Sequence, residues 1–303
     1  SNRKNAIIRF MKKTDNLASL AKAQERFVAH LKAQKRSTNT IIAYQNDIGQ
    51  LISFLAERNI KEASEVNAAH IEDFKKDLLT EKKYTKKTVS RKLNSIKSFF
   101  RFLKDNGVVT EDPSLRVAHP KVSQKPPRIL SSLEYRALRD ACRNDNRAYA
   151  IVELMLQAGL RISEVANLEL NDITENTIIV RAYESHPQRV VPLNRAAKEA
   201  VRRYIENDRP KTNRTKKIFV TKTGRPLLVR NIRNNLNRYF DLAGIKNAYV
   251  NNLRDTFVVS QLEANVPLNV ISQIIGHKRI SSTEKYLALV KNREEEKIKL
   301  KEL

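Results

Sequence analysis

Gly159-Leu160-Arg161-Ile162-Ser163-Glu164 marks the point where the hydrophobic period of this chain changes. Upstream, Ala148 to Leu156 reads as a buried helix, halted by Gly159, a residue that accepts the left-handed backbone of a helix end. Downstream, Thr177-Ile178-Ile179-Val180 and Arg189-Val190-Val191-Pro192-Leu193 are short β-rich runs. Tyr183-Glu184-Ser185-His186-Pro187 joins them, which suggests a hairpin, and Ile218-Phe219-Val220 reads as a third strand. A buried helix that feeds a small sheet predicts a mixed α/β unit.

The flanks of this region are helical. Ser131 or Ser132 is placed to cap a helix ending near Cys142, and Val229 through Leu289 is a helical pattern broken at Gly244, Pro267 and Gly276. Nearer the start, Phe27, Val28 and Leu31 mark one helix, and Ile41, Tyr44, Ile48, Leu51, Ile52 and Leu55 mark another behind a Ser/Thr cap. Val89, Leu93, Ile96, Phe99, Phe100 and Leu103 mark the next, stopped at Asn106-Gly107. Prolines from Asp112-Pro113 to Pro126-Pro127 cannot continue a helix. The fold class expected is therefore mainly α with a small β-sheet. Its parts are an N-terminal helical domain over 1–111, a linker over 112–128, a mixed α/β domain over 129–290, and a charged tail over 291–303.

The chain has 303 residues, with 58 Lys and Arg against 33 Asp and Glu, a formal charge of +25. Such an excess, distributed through segments with apolar periodicity, implies folded surfaces that meet a polyanion. Lys86, Lys87, Arg91, Lys92 and Lys97 crowd the polar side of one helix pattern and are the candidate DNA-phosphate contacts. Cys142 is the only cysteine, which excludes an internal disulfide and a cysteine-built zinc site within one chain, and points to a reducing compartment. No run approaches the roughly 20 apolar residues that cross a bilayer, so no membrane partner is expected.

Three distant segments each carry a group suited to phosphoryl transfer: Arg161 in Gly159–Glu164, Arg254 in Asn251-Asn252-Leu253-Arg254-Asp255, and His277 after Gly276, followed nine residues on by Tyr286. In that order they resemble the tyrosine recombinase and integrase family, whose motif runs Arg, Lys, His-x-x-Arg, His or Trp, Tyr. The Xer-like and transposon or phage integrase branch is the most similar. The resemblance covers nearly the whole chain: the segment from Phe27 to Leu103 is similar to the family's SAM-like core-binding domain, and the part after the linker to its catalytic domain.

The resemblance implies that Tyr286 attacks a DNA phosphate while Arg161 and Arg254 stabilise the charge on the nonbridging oxygens and His277 donates a hydrogen bond to the same phosphate. The products it implies are a 3′-phosphotyrosine and, after strand exchange, a Holliday junction, with no metal, ATP or other cofactor. The implied partners are double-stranded DNA with a specific site, further copies of the chain in a tetramer on two sites, and an accessory DNA-bending or directionality protein. The tail after Lys291 either docks on a neighbouring copy, as the resemblance implies, or is a disordered charged tail. The implied location is the cytoplasm, on the nucleoid.

The chain departs from the family's pattern in two places, the second-arginine motif and the hairpin. The first histidine of His-x-x-Arg is Asn251, which donates a hydrogen bond but exchanges no proton near neutral pH. Asp255, where His is common, is expected to orient an arginine or cap a helix. No Lys lies between Thr177 and Leu193; Glu184 falls near the family's hairpin lysine, with His186 and Lys222 as substitutes for it. These departures keep two alternatives open, a catalytically weakened DNA-binding member of the fold and a type IB topoisomerase-like enzyme.

Overall fold

The computed structural model describes residues 19–123, 126–183, 186–211 and 214–290. Two compact units divide between residues 124 and 125.

The first unit is all-helical. Helices α1 (Leu20–Ala33), α2 (Thr38–Ala56), α3 (Ala68–Thr80) and α4 (Lys86–Asp105) follow one another. Polar residues start the last three: Ser37, Asn67 and Thr85 accept from the backbone N–H of Thr40, His70 and Thr88, satisfying donors that no helical carbonyl reaches. Gly107, at φ +70°, ends α4 in the left-handed region. Phe27 meets Phe99 edge-on with centroids 5.4 Å apart, and Phe54 meets Phe74 at 5.1 Å, so the apolar stripes of the four helices close on one core.

A buried ion cluster lies inside this unit. Asp47, only 2% exposed, accepts from Arg91 at 2.6 and 2.9 Å, from Lys92 at 2.9 Å and from the Ser95 hydroxyl at 2.7 Å. These contacts pin α2 to α4. The stretch expected as linker begins inside this unit instead, because a 3₁₀ turn at Pro113–Arg116 contacts α3 and α4 and Val117 is buried in the core.

The second unit begins with α5 (Ser132–Ala141), entered through a capping box of Ser131 and Glu134. Helix α6 (Asn146–Gln157) is buried along almost its whole length, as its apolar sequence requires, and Gly159 follows it at φ +61°. Then come α7 (Ile162–Asn167) and the antiparallel strands β1 (Thr177–Val180) and β2 (Arg189–Pro192), in a register that sets Val180 opposite Arg189. Ile218–Val220 is not a third strand: the Ile218 N–H bonds the Leu168 carbonyl, and only isolated bridges form at Lys217 and Val220. The sheet of the described residues thus has two strands.

Helix α8 (Arg195–Arg203) runs into a π turn at Tyr204–Asp208, followed by α9 (Val229–Leu242), α10 (Asn251–Glu263), α11 (Leu268–Ile275) and the single turn α12 (Ser281–Glu284). Helix α6 is the hub, packed against α8, α10 and α9. Among the described residues, no helix is long and apolar enough to cross a membrane.

Candidate active site

The pocket is assembled at two glycines. Gly159 and Gly276 both hold positive φ, at the ends of α6 and α11, and their carbonyls receive arginines from elsewhere: Arg254 donates to Gly159, and Arg161 to Gly276 at 3.0 Å. A side chain at Gly159 would collide with the Phe257 ring, 2.5 Å from where its Cβ would stand. Arg254 also donates to the Ile275 carbonyl, so one guanidinium clamps the ends of both helices.

Glu164 organises the other two cations. Its carboxylate accepts from Arg161, through Nη1 and the backbone N–H, and from both terminal nitrogens of Arg189, all at 2.8 Å. Arg189 donates through Nε to the Ile274 carbonyl at 2.7 Å, which fixes strand β2 to α11. Burial alone would raise the Glu164 carboxyl, but Arg189 and Arg161 hold it at about 2. Arg254 is itself 7% exposed; burial and the neighbouring Arg161 push it down to about 9, so it stays charged at neutral pH.

His277 and Tyr286 complete the constellation. His277 pairs its Nδ1 with the buried Thr283 hydroxyl at 2.9 Å, which fixes the ring. Burial, with Arg254 and Arg161 close by, lowers it to about 4, so the imidazole is neutral at physiological pH. Tyr286 is 3% exposed, its ring among Phe257, Val258, Val259, Ile271 and Ile275. Its hydroxyl donates to Asp255 Oδ1 at 2.6 Å. Burial raises the phenol, the Asp255 charge raises it further, and Arg254 and Arg161 oppose them.

Of the predicted site residues, Arg161, Arg254, His277 and Tyr286 come together here, each within the electrostatic reach of the two arginines. Asn251 opens α10 and is exposed. Asp255 neither caps a helix nor orients an arginine; its partners are Tyr286 and Asn252. In the sequence Arg189 stands only as the start of a strand, because no local pattern marks an arginine whose partners lie 25 and 85 residues away.

Among the hairpin substitutes, Glu184 lies outside the described residues, as does the tail after residue 290. Lys222 is exposed on the turn closed by the Thr221 N–H and the Arg225 carbonyl. His186 is near the cluster: burial and then Arg161 lower its pKa, and its buried Nδ1 has no hydrogen-bond partner.

The helix chosen for phosphate contact divides. Lys86 and Lys87 are exposed, and Lys97 is half-buried. Lys92, expected on the DNA-facing side, is instead 5% exposed, with its ammonium on Asp47 and on Gln50 at 2.7 Å, so it neutralises a buried carboxylate rather than a phosphate. Arg91 is half-exposed but bidentate to Asp47.

Three guanidiniums, with Lys285 and Lys278 close by, outnumber the carboxylates Glu164 and Asp255, and a tyrosine hydroxyl and a neutral imidazole share the pocket. That excess of fixed positive charge suits an anionic group such as a phosphate, with a tyrosine hydroxyl beside it. Among the described residues, no cluster of three or more His, Cys, Asp or Glu could hold a metal ion.

Comparison with known proteins places this class. The Phage integrase family model matches residues 128–293, and the model for the phage integrase N-terminal SAM-like domain matches residues 25–107. The chain belongs to the phage integrase family, the tyrosine recombinases. Tyrosine recombinase XerC of Halalkalibacterium halodurans is 31% identical over 281 residues, covering 88% of this chain and 92% of that one. XerC of Roseiflexus sp. is 31% identical over 274 residues, covering 86% and 87%.

Among solved structures, the Tn1549 transposon integrase in complex with transposon right end DNA aligns with a TM-score of 0.75 at 17% identity, over 93% of this chain and all of that one. A lambda integrase tetramer bound to a Holliday junction aligns at 0.72 and 17% identity, over 88% of this chain and 79% of that one. At those identities the likeness is one of fold.

Proposed function

We propose that this chain cleaves duplex DNA at a specific site by attack of Tyr286 on a phosphodiester, forming a 3′-phosphotyrosine, and exchanges strands through a Holliday junction. The observation that carries this reading is a buried tyrosine hydroxyl, bonded to Asp255, in the field of Arg254 and Arg161, with Arg189 joined to Arg161 through Glu164. Attack at phosphorus builds charge on the nonbridging oxygens, and fixed guanidiniums stabilise that charge without reorganising. Held by Thr283, neutral His277 is suited to donate a hydrogen bond to the same phosphate. A phosphotyrosine ester preserves the bond energy for rejoining, so the chemistry consumes no nucleotide.

Double-stranded DNA is the substrate in this reading, and two bound sites bring four copies of the chain together. The tetramer of lambda integrase on a Holliday junction supports that assembly by likeness of fold. An accessory DNA-bending or directionality protein, and a tail that docks on a neighbouring copy, belong to the same proposal.

The test is capture of a covalent adduct on a pool of nicked, partly randomised duplexes, resolved under denaturing conditions. Wild type is expected to give an adduct whose DNA reveals the site, and Tyr286→Phe is expected to bind the pool without forming one. An adduct that persists in Tyr286→Phe would overturn the assignment.

A further inference from the structure

A tyrosine that attacks phosphorus must lose its proton, and the chain's own geometry singles out where that proton goes. Tyr286 donates to Asp255 Oδ1 at 2.6 Å. The other polar groups of the pocket are poorly suited to receive it. With Nδ1 on Thr283 and Nε2–H kept for the phosphate, His277 has no ring nitrogen left to accept it, a guanidinium offers only donors, and Asn251 is exposed and carries an amide that takes no proton.

Asp255 is held for this task. Its second oxygen accepts from Asn252 Nδ2 at 3.3 Å. Asn252 is itself locked, donating to the Arg128 carbonyl at 2.8 Å and accepting from the Tyr249 N–H at 2.7 Å. Lys285, from the Tyr286 segment, and Arg254, from Asp255's own helix, are the cations that face the carboxylate.

We propose that Asp255 is the general base for Tyr286, a role that rests on Tyr286 being the nucleophile. In cleavage the Oη–P bond forms and the bond from phosphorus to the 5′ oxygen breaks. The phenolic proton passes to Asp255, and the departing oxygen takes a proton from water to become a 5′-hydroxyl. In rejoining, the 5′-hydroxyl gives its proton back to water as its oxygen attacks phosphorus, the Oη–P bond breaks, and Asp255 returns its proton to the departing phenolate. A carboxylate of this kind supplies locally what Asn251 cannot.

The test measures the rate of adduct formation by the full chain on the duplex recovered from the covalent capture. Asp255→Asn is expected to slow it by about 10²–10⁴-fold, the usual worth of a general base, while binding that duplex as wild type does. Placing 2,3,5-trifluorotyrosine at position 286, with its far more acidic phenol, is expected to restore most of that loss, because a phenol that releases its proton more readily depends less on a base. In the chain that keeps Asp255, the same replacement is expected to change the rate by less than about tenfold.

Adduct formation by Asp255→Asn at the wild-type rate or faster would mean that the carboxylate restrains the hydroxyl, and would overturn the proposal. A loss that the fluorinated tyrosine leaves uncorrected would reduce Asp255 to a positioning residue. If Asp255→Asn fails to bind the duplex, the chain with Asp255 intact decides: a rate that climbs in proportion to phenol acidity overturns the role. Absence of any adduct with wild type would instead overturn the nucleophile assignment, before Asp255 is touched.

Discussion

Glu164 lies between Arg161 and Arg189, 6% exposed at its side chain, so removing its charge leaves two cations facing each other in a buried pocket. Glu164→Gln is expected to destabilise the chain by about 3–5 kcal/mol, read from the urea midpoint at pH 7. The pH dependence follows from the shift. The carboxyl is held at about 2 against an ordinary 4.5, so the folded state binds fewer protons than the unfolded one between those values. The stabilisation is complete above pH 4.5 and is lost as pH falls towards 2, an effect of roughly 3 kcal/mol. The difference in urea midpoint between wild type and Glu164→Gln should therefore shrink from pH 7 to pH 3. His277 gives a second reading of the same field: its ring signals should titrate near pH 4, because burial and the guanidiniums oppose its charge.

At the scale of the element, the end of α6 does more than stop a helix. Gly159→Ala would place a side chain at φ +61°, costing roughly 1–2 kcal/mol for the backbone alone, and would drive its Cβ into the Phe257 ring. Because the Gly159 carbonyl holds Arg254, the expected outcome is a lowered Tm together with loss of adduct formation, even though no functional side chain has changed. The α2–α4 pair offers a contrasting case in the first unit. Asp47→Ala would strand Lys92 as a buried charge without its partner, at about 3–5 kcal/mol. Limited proteolysis should then cut the first unit while the second stays resistant.

Across the whole molecule, a charge of +25 makes affinity for DNA strongly dependent on salt. Each phosphate contact contributes about 0.9 to the slope of log K against log salt. If exposed Lys86 and Lys87 touch phosphates, each change to Ala should flatten that slope by about one contact. Lys92→Met should leave the slope unchanged, because its ammonium already neutralises Asp47. Measuring binding from low to high salt separates the two kinds of lysine, which a count of basic residues treats alike.

Most of the longer helices, the hairpin and the order of the motifs were legible in the sequence, because each rests on local chemistry: a period, a cap such as Ser37 or Ser131, a stop such as Gly159 or Gly107; α3 and α8 were not. Ile218–Val220 misled because β-branched composition marks burial as well as pairing, and that stretch is buried without a strand partner on either side. By itself the sequence determined a mainly helical chain of basic surface carrying Arg161, Arg254, His277 and Tyr286 in motif order. Only the tertiary structure decided which charges are internal and which groups meet. Lys92 turned inward because Asp47 stands opposite it on another helix, Arg189 joined Glu164 across a hairpin, and Tyr286 found Asp255 31 residues away. Hydrogen bonds and ion pairs act over a few ångströms of space whatever the separation along the chain, so partners of this kind are fixed by packing and leave no periodic trace in the sequence.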